Sequence, residues 1–149
     1  MALLDNRIAL VTGAGQGVGQ GIAFALAAEG ARVAVTGRTL EKLQKTVAEI
    51  ERRGGTALPV QCEVKSLASL QACVKTVVDH FGGLNILVNN AQEVPNGELF
   101  NVSDEAFEAG FQSGPLATMR LMKLCHPYLK GDGSIVNLAS SATKRWDMA

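Results

Sequence analysis

One run of residues constrains this chain more than any other: Thr12-Gly13-Ala14-Gly15-Gln16-Gly17-Val18-Gly19. It follows an apolar stretch, Ile8 to Val11, and opens a segment with helical spacing. The spacing GxGxxG fits in no frame, because the third glycine would fall on Val18, Gln20 or Ile22. The spacing TGxxxGxG does fit, on Thr12, Gly13, Gly17 and Gly19. Gly13 then lets the chain leave the strand in a tight turn, Gly17 lets backbone approach a pyrophosphate, and Gly19 lets the helix pack closely. Free N–H groups and the dipole at a helix start favour a dianionic ligand there. A plain glycine-rich turn is the other reading of the run. The strand before it and the helix after it are the context that favours the phosphate reading.

Further apolar runs rich in Val and Ile recur at Val33 to Val35, Ala57 to Val60, Ile86 to Val88 and Ile135 to Leu138. They are continuous rather than alternating, as in strands covered on both faces. Helical patterns lie between them. Ile22, Leu26 and Glu29 belong to the first, and Thr39 is placed to cap a second with Leu43, Val47 and Ile50 on one stripe. Ser66 is placed to cap a third, with Leu67, Leu70, Val74, Val77, Val78 and Phe81 inward. Ser103, followed by Asp104 and Glu105, starts a fourth that runs towards Lys130. Pro115 inside it lacks an N–H and predicts a kink or break. The turn Gly131-Asp132-Gly133 leads into the fifth strand. Five strands alternating with four helices predict an α/β fold, a doubly wound parallel sheet, in one domain over residues 1–149.

Composition removes other classes. Lys plus Arg and Asp plus Glu each number 14, so no basic excess points to nucleic acid or an anionic membrane. Cys62, Cys73 and Cys125 form no CxxC pair, so small buried thiols in a reducing cytoplasm are expected rather than disulfides. His80 and His126 stand apart, without ligand spacing, and no metal site is expected. No apolar run is long enough to span a bilayer, and MALLDNR does not read as a signal peptide.

The chain resembles the short-chain dehydrogenase/reductase family over essentially all its length. TGxxxGxG is that family's cofactor loop, and two further pieces match in order: Asn89-Asn90-Ala91 after the fourth strand and Asn137-Leu138-Ala139-Ser140 after the fifth. The resemblance implies a nicotinamide cofactor and hydride transfer to or from a small carbonyl or alcohol substrate. The loop residues Gly13, Gln16, Gly17, Val18 and Gly19 are the expected cofactor contacts. By resemblance, Glu63 and Val64 lie at the adenine, Asn90 and Ala91 line a ribose, and Ser140 orients the substrate oxygen as a catalytic residue. Ordinary strand-end and loop polarity are the other readings of Asn89, Asn90 and Ser140. The family's fourth helix also packs against a second subunit, and Leu116, Met119, Leu121, Met122 and Leu124 offer apolar surface for a homo-oligomer or for ordinary core.

The end of the second strand selects between cofactors. An acid there would accept bonds from the adenosine ribose hydroxyls of NAD(H). This chain has Gly37 and then Arg38 and Thr39. A guanidinium forms bidentate bonds to a 2′-phosphate, so NADP(H) is expected over NAD(H), with Thr36 and Thr39 as further hydroxyls. A solvated surface charge is the other reading of Arg38.

Four positions depart from the family pattern. Glu63 stands for Asp, Gln92 for Gly, Ala139 for Ser, and Gly114 for the helix Asn that supports proton transfer. The Tyr and Lys of the family's YxxxK motif fall beyond Ala149, and Tyr128, at the end of the fourth helix, does not match by position. Three explanations stay open: a piece of a longer reductase, a shortened chain, or a short product that binds cofactor without turnover. The first two are favoured, because an unpaired sheet edge invites aggregation. The rival to the enzyme is therefore a non-catalytic dinucleotide-binding or interaction module.

Overall fold

The computed structural model describes residues 2–95, 99–129 and 131–139. Strands β1 (Ile8–Thr12), β2 (Arg32–Gly37), β3 (Thr56–Gln61), β4 (Ile86–Asn89) and β5 (Ser134–Asn137) form one parallel sheet in the order β3-β2-β1-β4-β5. The chain winds outward from β1 to β3, then returns to β4 on the other side of β1. That reversal is the doubly wound topology expected from the alternation of elements, and it opens a crevice at the carboxyl edge between β1 and β4. Pro59 has no N–H to donate, and it sits in the edge strand β3, where such a residue is tolerated.

Two helical layers cover the sheet. The helices α1 (Gly17–Ala28) and α2 (Leu40–Arg52) cover one face, and α3 (Leu67–Phe81) covers the other with α5 (Ala117–Cys125). The strands divide their side chains by pleat: Ile8 and Leu10 join Leu70, Val77 and Leu121, while Ala9 and Val11 join Leu43, Val47 and Ile50. Continuous burial along β1 follows from this double covering.

Local signals account for several boundaries. Ser66 Oγ accepts from Ser69 N at 3.2 Å and Ser103 Oγ from Ala106 N at 3.2 Å, so both are true caps. Thr39 occupies the N-cap of α2 with extended backbone but makes no side-chain cap bond. Cys62, Cys73 and Cys125 are free and buried, and burial pushes the Cys125 thiol up to about 12.

The structure adds three details. Glu29 is the C-cap of α1, and the buried stripe of that helix is Gly19, Ala23 and Ala27, with Ile22 and Leu26 flanking it. Small residues face the sheet because the helix lies close to it, so an apolar-size pattern misses that face. On α3, Leu67 is 43% exposed at the first helical position, and Cys73 is buried instead. The fourth helix does not break at Pro115. It divides into α4 (Asp104–Phe111), a π-helical turn over Gln112–Leu116, and α5. The wider turn accommodates a residue that cannot donate to the helical ladder. Leu121 belongs to the core, whereas Met119 is 39% exposed. No helix among the described residues is long and apolar enough to cross a membrane.

The placement of α3 gives a stability prediction. Leu70→Ala removes a side chain with no exposed surface and lowers the unfolding free energy by about 2–5 kcal/mol in a denaturant titration. Leu67→Ala, by contrast, changes it by less than about 1 kcal/mol.

Candidate functional site

The loops that leave β1 and β4 are tied together by side chains. Thr12 Oγ1 accepts from Asn90 N at 3.0 Å and Ala91 N at 2.9 Å, and donates to Val88 O at 3.3 Å. Asn90 Nδ2 donates to Thr12 O at 2.9 Å and to Gly13 O at 3.3 Å. Ala14 N donates to Thr36 O at 2.9 Å, which fixes the glycine loop to β2 as well.

Within this frame the glycines are required for different reasons. Gly13 has φ +65°, and a Cβ there would lie 2.9 Å from Asn90 Nδ2. Gly17 has φ +58° and faces open space at the start of α1. A Cβ on Gly19 would collide with Gly13 O and Asn90 Nδ2. Gly19 thus packs against the loop itself, not only against the sheet. Gln16, the N-cap of α1, makes no side-chain cap bond, and no acid lies in the first turn. Its Oε1 instead accepts from Lys42 Nζ at 2.5 Å. That helix end therefore presents its positive dipole without an acid of its own.

The groove beside the loop has a volume of about 380 Å³. Gly13, Gln16, Gly17, Val18 and Gly19 form its floor, Arg38 and Thr39 come from the end of β2, Glu63 and Val64 from the loop after β3, and Asn90 and Ala91 from the loop after β4. These positions, read from the sequence as cofactor contacts, thus line one cavity. Thr36 does not. It is fully buried, with Oγ1 donating to Val11 O at 3.1 Å, so its hydroxyl is consumed within the sheet.

Several lining residues gave no signal in the sequence. Gly15, Lys42, Cys62, Glu93 and Ser113 all border the groove. Arg38 Nη1 lies 2.7 Å from Glu93 Oε1, so the guanidinium is paired across the groove rather than merely solvated. Glu63 Oε1 accepts from Lys65 N at 3.0 Å. Two departures from the family pattern also meet. Gln92 Cβ and Oε1 each lie 4.0 Å from the position a Cβ on Gly114 would take, so the two positions are neighbours.

Ser140, the expected catalytic residue, lies outside the described residues. The strand leading to it is in place, with Leu138 N donating to Asn89 O at 3.0 Å and Asn89 Nδ2 donating to Asn137 Oδ1 at 2.8 Å. Tyr128 follows α5, is 44% exposed, and does not line the groove. Among the described residues, no cluster of His, Cys, Asp or Glu could hold a metal.

Residues 7–147 match a family model described as short chain dehydrogenase. The 12alpha-hydroxysteroid dehydrogenase of Clostridium sp. is 38% identical over 151 residues, covering 95% of this chain and 58% of its own length. A short chain dehydrogenase from Burkholderia cenocepacia, solved in complex with NADP, superimposes with a TM-score of 0.91 at 34% identity, over 98% of this chain and 60% of that one. A 7 alpha-hydroxysteroid dehydrogenase complexed with NADH and 7-oxo glycochenodeoxycholic acid gives 0.91 at 29% identity, over 97% and 57%. The chain spans a little over half the length of the curated relatives it matches.

The glycine geometry is testable by stability alone. Gly19→Ala forces its new methyl onto backbone and lowers the unfolding free energy by about 1–3 kcal/mol. Gly21→Ala, on the same helix but with open space around it, is neutral or stabilising by up to about 1 kcal/mol. Thermal unfolding shows a lowered midpoint for Gly19→Ala and an unchanged or raised one for Gly21→Ala.

Proposed function

We propose, because the chain belongs to the short-chain dehydrogenase family, that its groove holds a nicotinamide dinucleotide and that the protein is an oxidoreductase. The substrate class is a small carbonyl or alcohol. The observation that carries the reading is the cradle at the start of α1, where glycines border an uncapped helix end that points its dipole into the groove. Two linked phosphates fit such a cradle, because they supply the charge that the helix end lacks.

The cofactor, when bound, supplies or takes the hydride. The chain's own residues bind and orient. Gly13, Gln16, Gly17, Val18 and Gly19 hold the pyrophosphate, largely through backbone N–H groups. Glu63 and Val64 receive the adenine, and Asn90 and Ala91 line a ribose. Ser140, which follows β5 in the sequence, is by family resemblance the residue that orients the substrate oxygen. Residues 1–149 act as one binding unit, and the protein forms homo-oligomers through the segment of α4 and α5.

The choice between cofactors rests on the end of β2. One solved relative carries NADP and another NADH, so family membership alone leaves it open. Arg38 follows Gly37 on the groove wall, where a carboxylate would oppose a 2′-phosphate and a guanidinium favours it. NADP(H) is therefore the preferred partner. Gly114 favours a second reading, in which the chain binds the dinucleotide without turnover, because it supplies no side chain at the position of the family's helix Asn.

Equilibrium titration tests the first reading. NADPH binds at least about ten-fold tighter than NADH, the size expected of one charge-assisted bond set. Arg38→Ala removes most of that preference and leaves NADH within about two-fold. Equal affinities in the unaltered protein would overturn the NADP(H) assignment. A panel of ketones and alcohols separates the two readings, since turnover supports the oxidoreductase and binding without turnover supports the module.

A further inference from the structure

We infer that Glu93 is a resident counter-ion for the ribose-phosphate end of the groove, and that it sets how far this chain discriminates a 2′-phosphorylated adenosine from an unphosphorylated one. The inference rests on reading the groove as a dinucleotide site.

The geometry is a single carboxylate between two cations. Glu93 Oε1 lies 2.7 Å from Arg38 Nη1 and 3.1 Å from Lys65 Nζ, and Oε2 accepts from Lys65 Nζ at 3.2 Å. The three residues come from separate places: the end of β2, the loop before α3, and the loop after β4. Their backbones are anchored. Glu93 N donates to the buried Ser113 Oγ at 2.8 Å, Arg38 O accepts from Gln61 Nε2 at 2.8 Å, and Lys65 O accepts from Arg120 Nη1 at 3.2 Å. The Arg38 side chain, in contrast, is 64% exposed, so the ion pair opens at little cost.

A phosphate monoester carries a charge of roughly −1.5 to −2 near neutral pH. It needs the fork of a guanidinium for bidentate bonding, and it cannot share that fork with a carboxylate without like-charge repulsion. Binding a 2′-phosphate is therefore an exchange. The Glu93 carboxylate leaves Arg38, the phosphate takes its place, and Lys65 retains the released carboxylate. An unphosphorylated ribose offers only hydroxyls and leaves the Arg38 pair intact. Glu93 thus weakens binding of the phosphorylated ligand alone and narrows the preference that Arg38 creates. The dual partnership with Lys65 makes the exchange reversible, because Glu93 is never left without a cation.

The test measures binding of adenosine 2′,5′-bisphosphate, 5′-AMP, NADPH and NADH to the unaltered chain, to Glu93→Gln, to Arg38→Ala and to the double variant. Glu93→Gln keeps the size of the side chain and removes its charge. It tightens the two 2′-phosphorylated ligands by about two- to five-fold, the range of an exposed ion pair, and leaves 5′-AMP and NADH unchanged. The gain disappears in the Arg38→Ala background and shrinks in high salt. Glu93→Ala gives the same sign if the glutamine variant folds poorly. The inference is overturned if Glu93→Gln tightens both ligand classes equally, or leaves the phosphorylated ligands unchanged or weaker. If the unaltered chain shows no preference for NADPH but Glu93→Gln acquires one, the cofactor assignment fails and the role of Glu93 stands. If no adenine nucleotide binds to any variant, both fall.

Discussion

Thr12 is buried at the end of β1, where its hydroxyl accepts two backbone N–H groups from the loop after β4 and donates to Val88 O. Asn90 returns the bond by donating its amide to Thr12 O and Gly13 O. These contacts hold the two loops at the point where strand order reverses, and both loops border the groove there. In a site this buried, each group must be satisfied or its desolvation is left uncompensated. The network also explains Gly19. Asn90 Nδ2 and Gly13 O occupy the space that any side chain at 19 would need.

The π-helical turn between α4 and α5 has a comparable role on the other wall. Pro115 removes a donor from the helix, and the turn widens instead of breaking. Ser113 within it is buried, accepts from Glu93 N at 2.8 Å and donates to Gly110 O at 3.3 Å. The irregular turn therefore fixes the segment that carries Gln92 and Glu93 over the groove. Gln92 in turn fills space beside Gly114.

Charge at the groove is arranged differently from the ion pairs along α2 and α3. Glu49 with Arg52 and the C-cap Arg53 on α2, and Lys75 with Asp79 on α3, are surface pairs between residues three or four positions apart. The Arg52 guanidinium, then that of Arg53, holds the Glu49 carboxyl down to about 2. Such pairs contribute little to folding, because water screens them. The Glu93 cluster instead joins three segments across a cavity, so its groups can exchange partners with a ligand without unfolding anything.

The sequence alone determined the order of strands and helices, the caps at Ser66 and Ser103, and the glycine run at the start of α1. These depend on periodicity and on backbone bonds between residues a few positions apart, which a linear reading can see. It also singled out positions from Gly13 to Ala91 that line one groove, since strand ends in a parallel sheet share one edge. Only the tertiary structure decided that α1 buries Gly19, Ala23 and Ala27, that Thr36 is consumed by Val11 O, and that Arg38 faces Glu93 across 55 positions of chain. Those outcomes depend on how closely two layers approach and on which loops the crossover places side by side, and no local pattern encodes either distance.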